Sequence, residues 1–137
     1  MAQTALLKPT LYRAEGSDRD PGHPALLGGE CGACGYVFFP LQAYGCERCG
    51  SVVLEPAVLT GAGRLLASAR VHIHPGKGRE APFTVGSVAL DDGPIVRTLV
   101  EDGGAALHPG ARVVTTLVPV ADAQGEPRLD LRFVAEG

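Results

Sequence analysis

Glycine and proline punctuate this chain so closely that no long helix has room to form. Nineteen glycines and eleven prolines stand among 137 residues, about 22% of the chain against a usual combined share of roughly 12%. The longest stretch free of both is residues 64–74, and an average helix needs about 11–12 residues. Both residue types break helices, glycine by backbone entropy and proline by its missing N–H. A helical bundle is therefore excluded. With no Gly-X-Y period and an ordinary 45% of apolar residues, the expectation is a turn-rich, mainly β protein.

The apolar pattern supplies the strands. Residues 83–90 are followed by Asp91-Asp92-Gly93-Pro94, a hairpin turn leading into residues 95–100. Residues 112–118 are β-branched and apolar, and Leu129, Leu131 and Phe133 alternate with Arg128, Asp130 and Arg132, which places those polar residues on a strand surface. In residues 64–74, Ala69, Val71 and Ile73 alternate with Arg70, His72 and His74. The shorter run Val52-Val53-Leu54 ends at Pro56. Gly61-Ala62-Gly63 lacks the third glycine and the helix of a dinucleotide fingerprint and reads as a relaxed turn into a strongly bent strand. From residue 57 onward, about five strands in about 80 residues suit a five-stranded OB-fold barrel, with a small sandwich as the alternative. The division expected is an N-terminal arm (1–27), a cysteine-rich segment (28–51) and the barrel (52–137).

All four cysteines lie in the middle segment. Cys31-Gly-Ala-Cys34 and Cys46-Glu-Arg-Cys49 are two CxxC pairs with eleven residues between them, the spacing of a four-thiolate zinc site. Gly35 and Gly50 follow the second cysteine of each pair, where a positive φ lets amides face the sulfurs. Four protein ligands leave no open position, so Zn2+ is expected here in a structural role. A redox reading would need a helix behind the CxxC, whereas Cys34 runs into the β-type Gly35-Tyr36-Val37-Phe38-Phe39-Pro40. A 24-residue segment buries too little surface to fold alone, and ligation supplies the missing stability.

Charge narrows the partners. Twelve basic and fifteen acidic residues give a net charge of −3, and aromatic residues are only 5%. Both facts count against nucleic acid, which asks for a basic surface and stacking platforms. A single-stranded nucleic-acid binder is still the alternative reading, because ribbons and OB barrels both serve that role. The run Ala5-Leu6-Leu7 is too short for a signal-peptide core and no span approaches membrane length, so no membrane contact is expected and the address is the cytoplasm.

Other polar groups have plainer readings. Asp18, Asp20 and Gly22 are spaced like part of a calcium loop but lack its closing glutamate, and read as a solvated turn. His72 and His74 could chelate a metal or serve a stand-alone enzyme, but without a partner ligand nearby a solvated or interface face is preferred. His23 and His108 precede prolines and carry no assignment. Lys77 and Arg79, in the loop after His74, could meet phosphate groups through charge-assisted hydrogen bonds or form an ordinary flexible turn. No serine sits in a nucleophile elbow and the cysteines are committed, so no catalytic residue is assigned and the chain on its own is not expected to be an enzyme.

Several segments, in order, carry a family resemblance. They are Cys31-Gly-Ala-Cys34-Gly35, Phe39-Pro40, Tyr44-Gly45-Cys46-Glu-Arg-Cys49-Gly50-Ser51, residues 59–65 from Leu59 to Leu65, and Val88-Ala89-Leu90-Asp91-Asp92-Gly93. Over residues 28–135 the chain resembles the acyl-CoA-associated OB-fold family with an N-terminal rubredoxin-like zinc ribbon, once catalogued as domain of unknown function thirty-five. It departs from many members in having Leu41-Gln42 after the Phe-Pro pair and no helical hairpin ahead of the ribbon. The resemblance implies an accessory subunit of a thiolase-fold enzyme, either an aldolase of the steroid side-chain type or an acyltransferase. The partner would carry the chemistry, and acyl-CoA would be met through the complex, with Lys77 and Arg79 as the expected contacts to the CoA phosphates.

Overall fold

A computed structural model describes residues 4–71, 83–101 and 107–136. Among them there is no helix, and hence none long and apolar enough to cross a membrane. The described strands fall into two sheets.

The first sheet is antiparallel and is built around β2 (Ala25–Cys31). Along one edge of β2 lies β4 (Leu54–Leu59), in register from Leu26↔Leu59 to Cys31↔Leu54. The other edge is shared by β1 (Tyr12–Arg13) and β3 (Val37–Phe38), paired through Tyr12↔Leu26 and Gly29↔Phe38. This sheet thus draws on the arm, the cysteine segment and the first residues beyond it. The run at 52–54 does not stop at Pro56. It becomes a strand at Leu54 and continues to Leu59, because β4 pairs only with β2 among the described strands and an edge strand can accommodate a residue without an N–H.

The second sheet is the expected five-stranded barrel. Its strands are β5 (Ala62–Val71), β6 (Phe83–Leu90), β7 (Ile95–Glu101), β8 (Arg112–Ala121) and β9 (Pro127–Ala135), closed in the order β5-β6-β7-β9-β8. Closure needs β5 to serve two neighbours. Residues Gly63 to Val71 pair with β6, while Ala62, Gly63 and Arg64 also pair with β8. The bend is helped by a register shift between Leu65 and Ala67, since a bulge kinks and twists its strand. The last joint is parallel and short, Val100↔Phe133 and Glu101↔Val134.

Gly61 precedes β5 at a place where a side chain would not fit. A Cβ there would collide with the Pro24 carbonyl and the Thr115 hydroxyl. Beyond the bulge, residues 66–70 are exposed on both faces, so the alternation of Ala69 with Arg70 separates no core face from a solvent face.

One apolar core runs through both sheets. Tyr12, Leu26 and Leu59 of the first sheet belong to the same buried cluster as Leu65, Val88, Val113, Leu131 and Phe133 of the barrel. Polar links reinforce the seam. The Thr115 hydroxyl donates to the Pro24 carbonyl at 2.6 Å, Ser17 and Thr60 share a hydroxyl hydrogen bond of 2.9 Å, and Thr60 N–H donates to Asp92 at 2.6 Å. The arm also runs along β9, where Leu7 N–H donates to the Leu129 carbonyl and Leu129 N–H to that of Ala5.

Candidate metal centre

The cysteines sit where the first sheet ends. Cys31 is the last residue of β2, and its N–H donates to the Tyr36 carbonyl at 2.8 Å, closing the first turn. Cys46 N–H donates to Ser51 at 2.8 Å and closes the second turn in the same way. The match continues at the glycines. Gly35 N–H donates to Cys31 O and Gly50 N–H to Cys46 O, with φ of +81° and +80°. Two sequence pairs have folded into two copies of one turn.

Facing turns bring the sulfurs together. Cys31 Sγ lies 3.6 Å from Cys49 Sγ, Cys34 Sγ lies 3.7 Å from Cys46 Sγ, and all four sulfurs are within 4.8 Å of one another. A tetrahedron with zinc–sulfur bonds of about 2.3 Å has edges of about 3.8 Å. Disulfide bonding needs about 2.05 Å, and all four cysteines are free. The cluster could hold a metal ion. Cys31 and Cys46 are buried, Cys34 and Cys49 exposed.

The electrostatics fit a cation at the centre. Backbone amides, led by that of Cys34, outweigh burial and draw the Cys31 thiol down to about 6. Burial pushes the Cys46 thiol up, but the Cys49 and Arg48 amides overcome it and the net shift is downward. At Cys49 the Ser51 amide favours the thiolate, yet the neighbouring Cys31 and Cys34 sulfurs prevail and push the thiol up to about 12. Four thiolates cannot all form at this spacing without a positive charge among them. A divalent ion removes that conflict and deprotonates its ligands outright.

The remaining sequence-based candidates are elsewhere. Lys77 and Arg79, like His72 and His74, lie outside the described residues. Asp18 and Asp20 belong to a turn in which Asp20 N–H donates to the Ser17 carbonyl, and the Asp20 carboxylate meets His23 Nδ1 at 2.8 Å.

Asp130 corrects the reading by alternation. It is not a surface residue but is buried at 8% exposure. The Tyr12 hydroxyl covers it and donates to Oδ1 at 3.0 Å, while Arg132 Nε donates to Oδ2 at 3.1 Å. Arg132 continues the chain outward to Glu101. Strand periodicity describes only a strand's own two faces, and carried no signal that the arm would cover the outer one.

A two-turn cysteine cluster joined through a common core to a five-stranded OB barrel defines a small ribbon-and-barrel class of protein. Residues 57–118 match the family model for the C-terminal OB-fold domain of ChsH2, in line with the resemblance carried by the segment order. Among solved structures, the chain is similar to one of an Ltp2-ChsH2(DUF35) aldolase, with 23% identity and a TM-score of 0.61 over 79% of this chain and 84% of that one. At that identity the likeness is one of fold. A protein of unknown function from the DUF35 family of Sulfolobus solfataricus is 16% identical, with a TM-score of 0.48 over 78% of this chain and 75% of its own. No curated protein matches.

Proposed function

We propose that this chain is a non-catalytic accessory subunit that binds a thiolase-fold enzyme, stabilises it and helps position its acyl-CoA substrate. The observation that carries the reading is the joint one: a barrel matching the ChsH2 OB-fold domain over residues 57–118, in a fold similar to that of a chain from the Ltp2-ChsH2(DUF35) aldolase. The cysteine cluster supports a supporting role, because four protein sulfurs would saturate a tetrahedral ion and leave it no position for substrate. Zn2+ on Cys31, Cys34, Cys46 and Cys49 would then be structural, fixing the two turns against the end of β2 and β4.

The partner supplies the reacting groups in this reading, either for aldol cleavage of a steroid-type side chain held as a CoA thioester or for acyl transfer. Lys77 and Arg79 are proposed as contacts to the CoA phosphates, and the setting proposed is the cytoplasm. Co-expression with a thiolase-fold protein tests the assignment. The two should co-purify, and the partner should lose stability or turnover when this chain is withheld. A partner fully stable and active alone would overturn it.

A further inference from the structure

Among the described residues the joint between β7 and β9 is made by two residue pairs, and the arm runs along β9 nearby, at Leu129. Between arm and barrel is a cavity of about 250 Å³. Leu11, Leu26, Phe39 and Leu131 give it apolar walls, and Lys8 and Arg97 stand among its lining residues. Both cations are exposed, which puts them on the solvent side of the cavity. Among the described residues neither side chain has a hydrogen-bond or ion-pair partner.

Asp130 also lines the cavity, but its two oxygens are engaged by the Tyr12 hydroxyl and by Arg132. Neither oxygen is hydrogen-bonded or ion-paired to Lys8 or Arg97. The cavity therefore offers two free positive charges in a chain whose net charge is −3. Its size falls between an apolar cavity of about 150 Å³, which takes benzene, and the roughly 300–1,000 Å³ of sites for drug-sized ligands.

The geometry points to a binding site for a small amphipathic carboxylate, its anionic head between Lys8 and Arg97 and a short alkyl tail against Leu11, Leu26, Phe39 and Leu131. Charge-assisted hydrogen bonds would hold the head, and burial of each methylene would add to affinity along the tail.

Calorimetric titration of the full chain with octanoate and with octanol separates head from tail. Octanoate should bind saturably with one site per chain, and octanol at least about tenfold more weakly. Arg97→Ala removes an exposed side chain, so the fold should persist with an unchanged melting temperature. It should weaken octanoate about tenfold and leave octanol where it was. Equal binding of acid and alcohol, indifference of octanoate to R97A, or no saturation by about 10 mM would each overturn the site. Because the chain is assayed alone, these outcomes leave the partner assignment untouched.

Discussion

The Tyr12 hydroxyl donates a 3.0 Å hydrogen bond to Oδ1 of Asp130, tying the arm to the last barrel strand across 118 positions of sequence. The same hydroxyl accepts from the Lys8 N–H at 3.1 Å, so one phenol organises the arm and clamps it at once. Tyr12 is 4% exposed and sits in the common core. Arm and barrel should accordingly unfold as one unit.

Tyr12→Phe keeps the ring and removes the clamp. Asp130 then loses a donor while staying buried, which costs about 1–3 kcal/mol. Alkali should do the same to the native chain. Burial first, and then the Asp130 carboxylate, push the Tyr12 phenol up from 10.0 to about 12. A raised pKa means that the folded state favours the protonated phenol. Its contribution is complete below about pH 10 and is lost as pH rises towards 12. Urea midpoints for the native chain should fall through that window, and those of Y12F should fall less. Parallel pH profiles would show that the clamp contributes nothing.

Neighbouring carboxylates at the β6–β7 turn should behave unequally. Asp91 pairs with Arg112 through two contacts of 2.7 and 2.8 Å, but both side chains are well exposed. The hydrogen bond from Arg112 holds the Asp91 carboxyl below its usual range, a benefit present above about pH 4 and lost as pH falls further. Solvent screening limits such a pair to about 0–1 kcal/mol. Asp92 is largely buried, accepts the Thr60 N–H at 2.6 Å and pairs with Arg19. Asp92→Ala should cost about 1.5–3 kcal/mol, several times the effect of Asp91→Ala. Equal losses in denaturant titrations would contradict the assignment of Asp92 to the seam between sheets.

What the sequence made legible was local. The CxxC pairs with Gly35 and Gly50 are complete turn signals in themselves, and the hairpin at Asp91-Asp92-Gly93-Pro94 needs no information from elsewhere. Among the barrel strands, β9 showed through its alternation, β8 through its β-branched apolar run, and β6 and β7 through the turn between them. The arm was less readable, because its contacts are made one residue at a time with distant partners. Tyr12 with Asp130, Pro24 with Thr115 and Ser17 with Thr60 leave no period in the chain. Thr115 shows the effect from the barrel side. It shares a buried face with Val113, and its hydroxyl meets the Pro24 carbonyl, a contact that no two-residue period announces.

Gly35 and Gly50 allow the two turns to be compared directly. Each has a positive φ near 80° and nothing within 4 Å of the place a Cβ would occupy. The cost of a side chain there is conformational and not steric. Gly35→Ala and Gly50→Ala should each lose about 1–2 kcal/mol, and Gly→Asn less, because asparagine tolerates the left-handed region. Competition against a chelator should rank zinc retention as Gly, then Asn, then Ala at both positions. Loss of that order at either position would mean that its turn does not depend on the left-handed conformation.

Metal removal should act on one end of the first sheet and spare the other. The cysteine turns have few apolar neighbours to hold them, and Val52 and Val53 between the cluster and β4 are exposed. At the opposite end of β2 and β4, Leu26 and Leu59 pair with each other and belong to the core shared with the barrel. Cys31→Ser or Cys49→Ser, or a strong chelator, should therefore release about one zinc per chain and open residues 31–53 to protease, because ligation is what folds so small a segment. Hydrogen exchange at Leu26, Leu59 and the barrel strands should change little. Exchange rising together across both sheets would show that the ion supports the whole fold. Full zinc content in either variant would place the metal on other ligands.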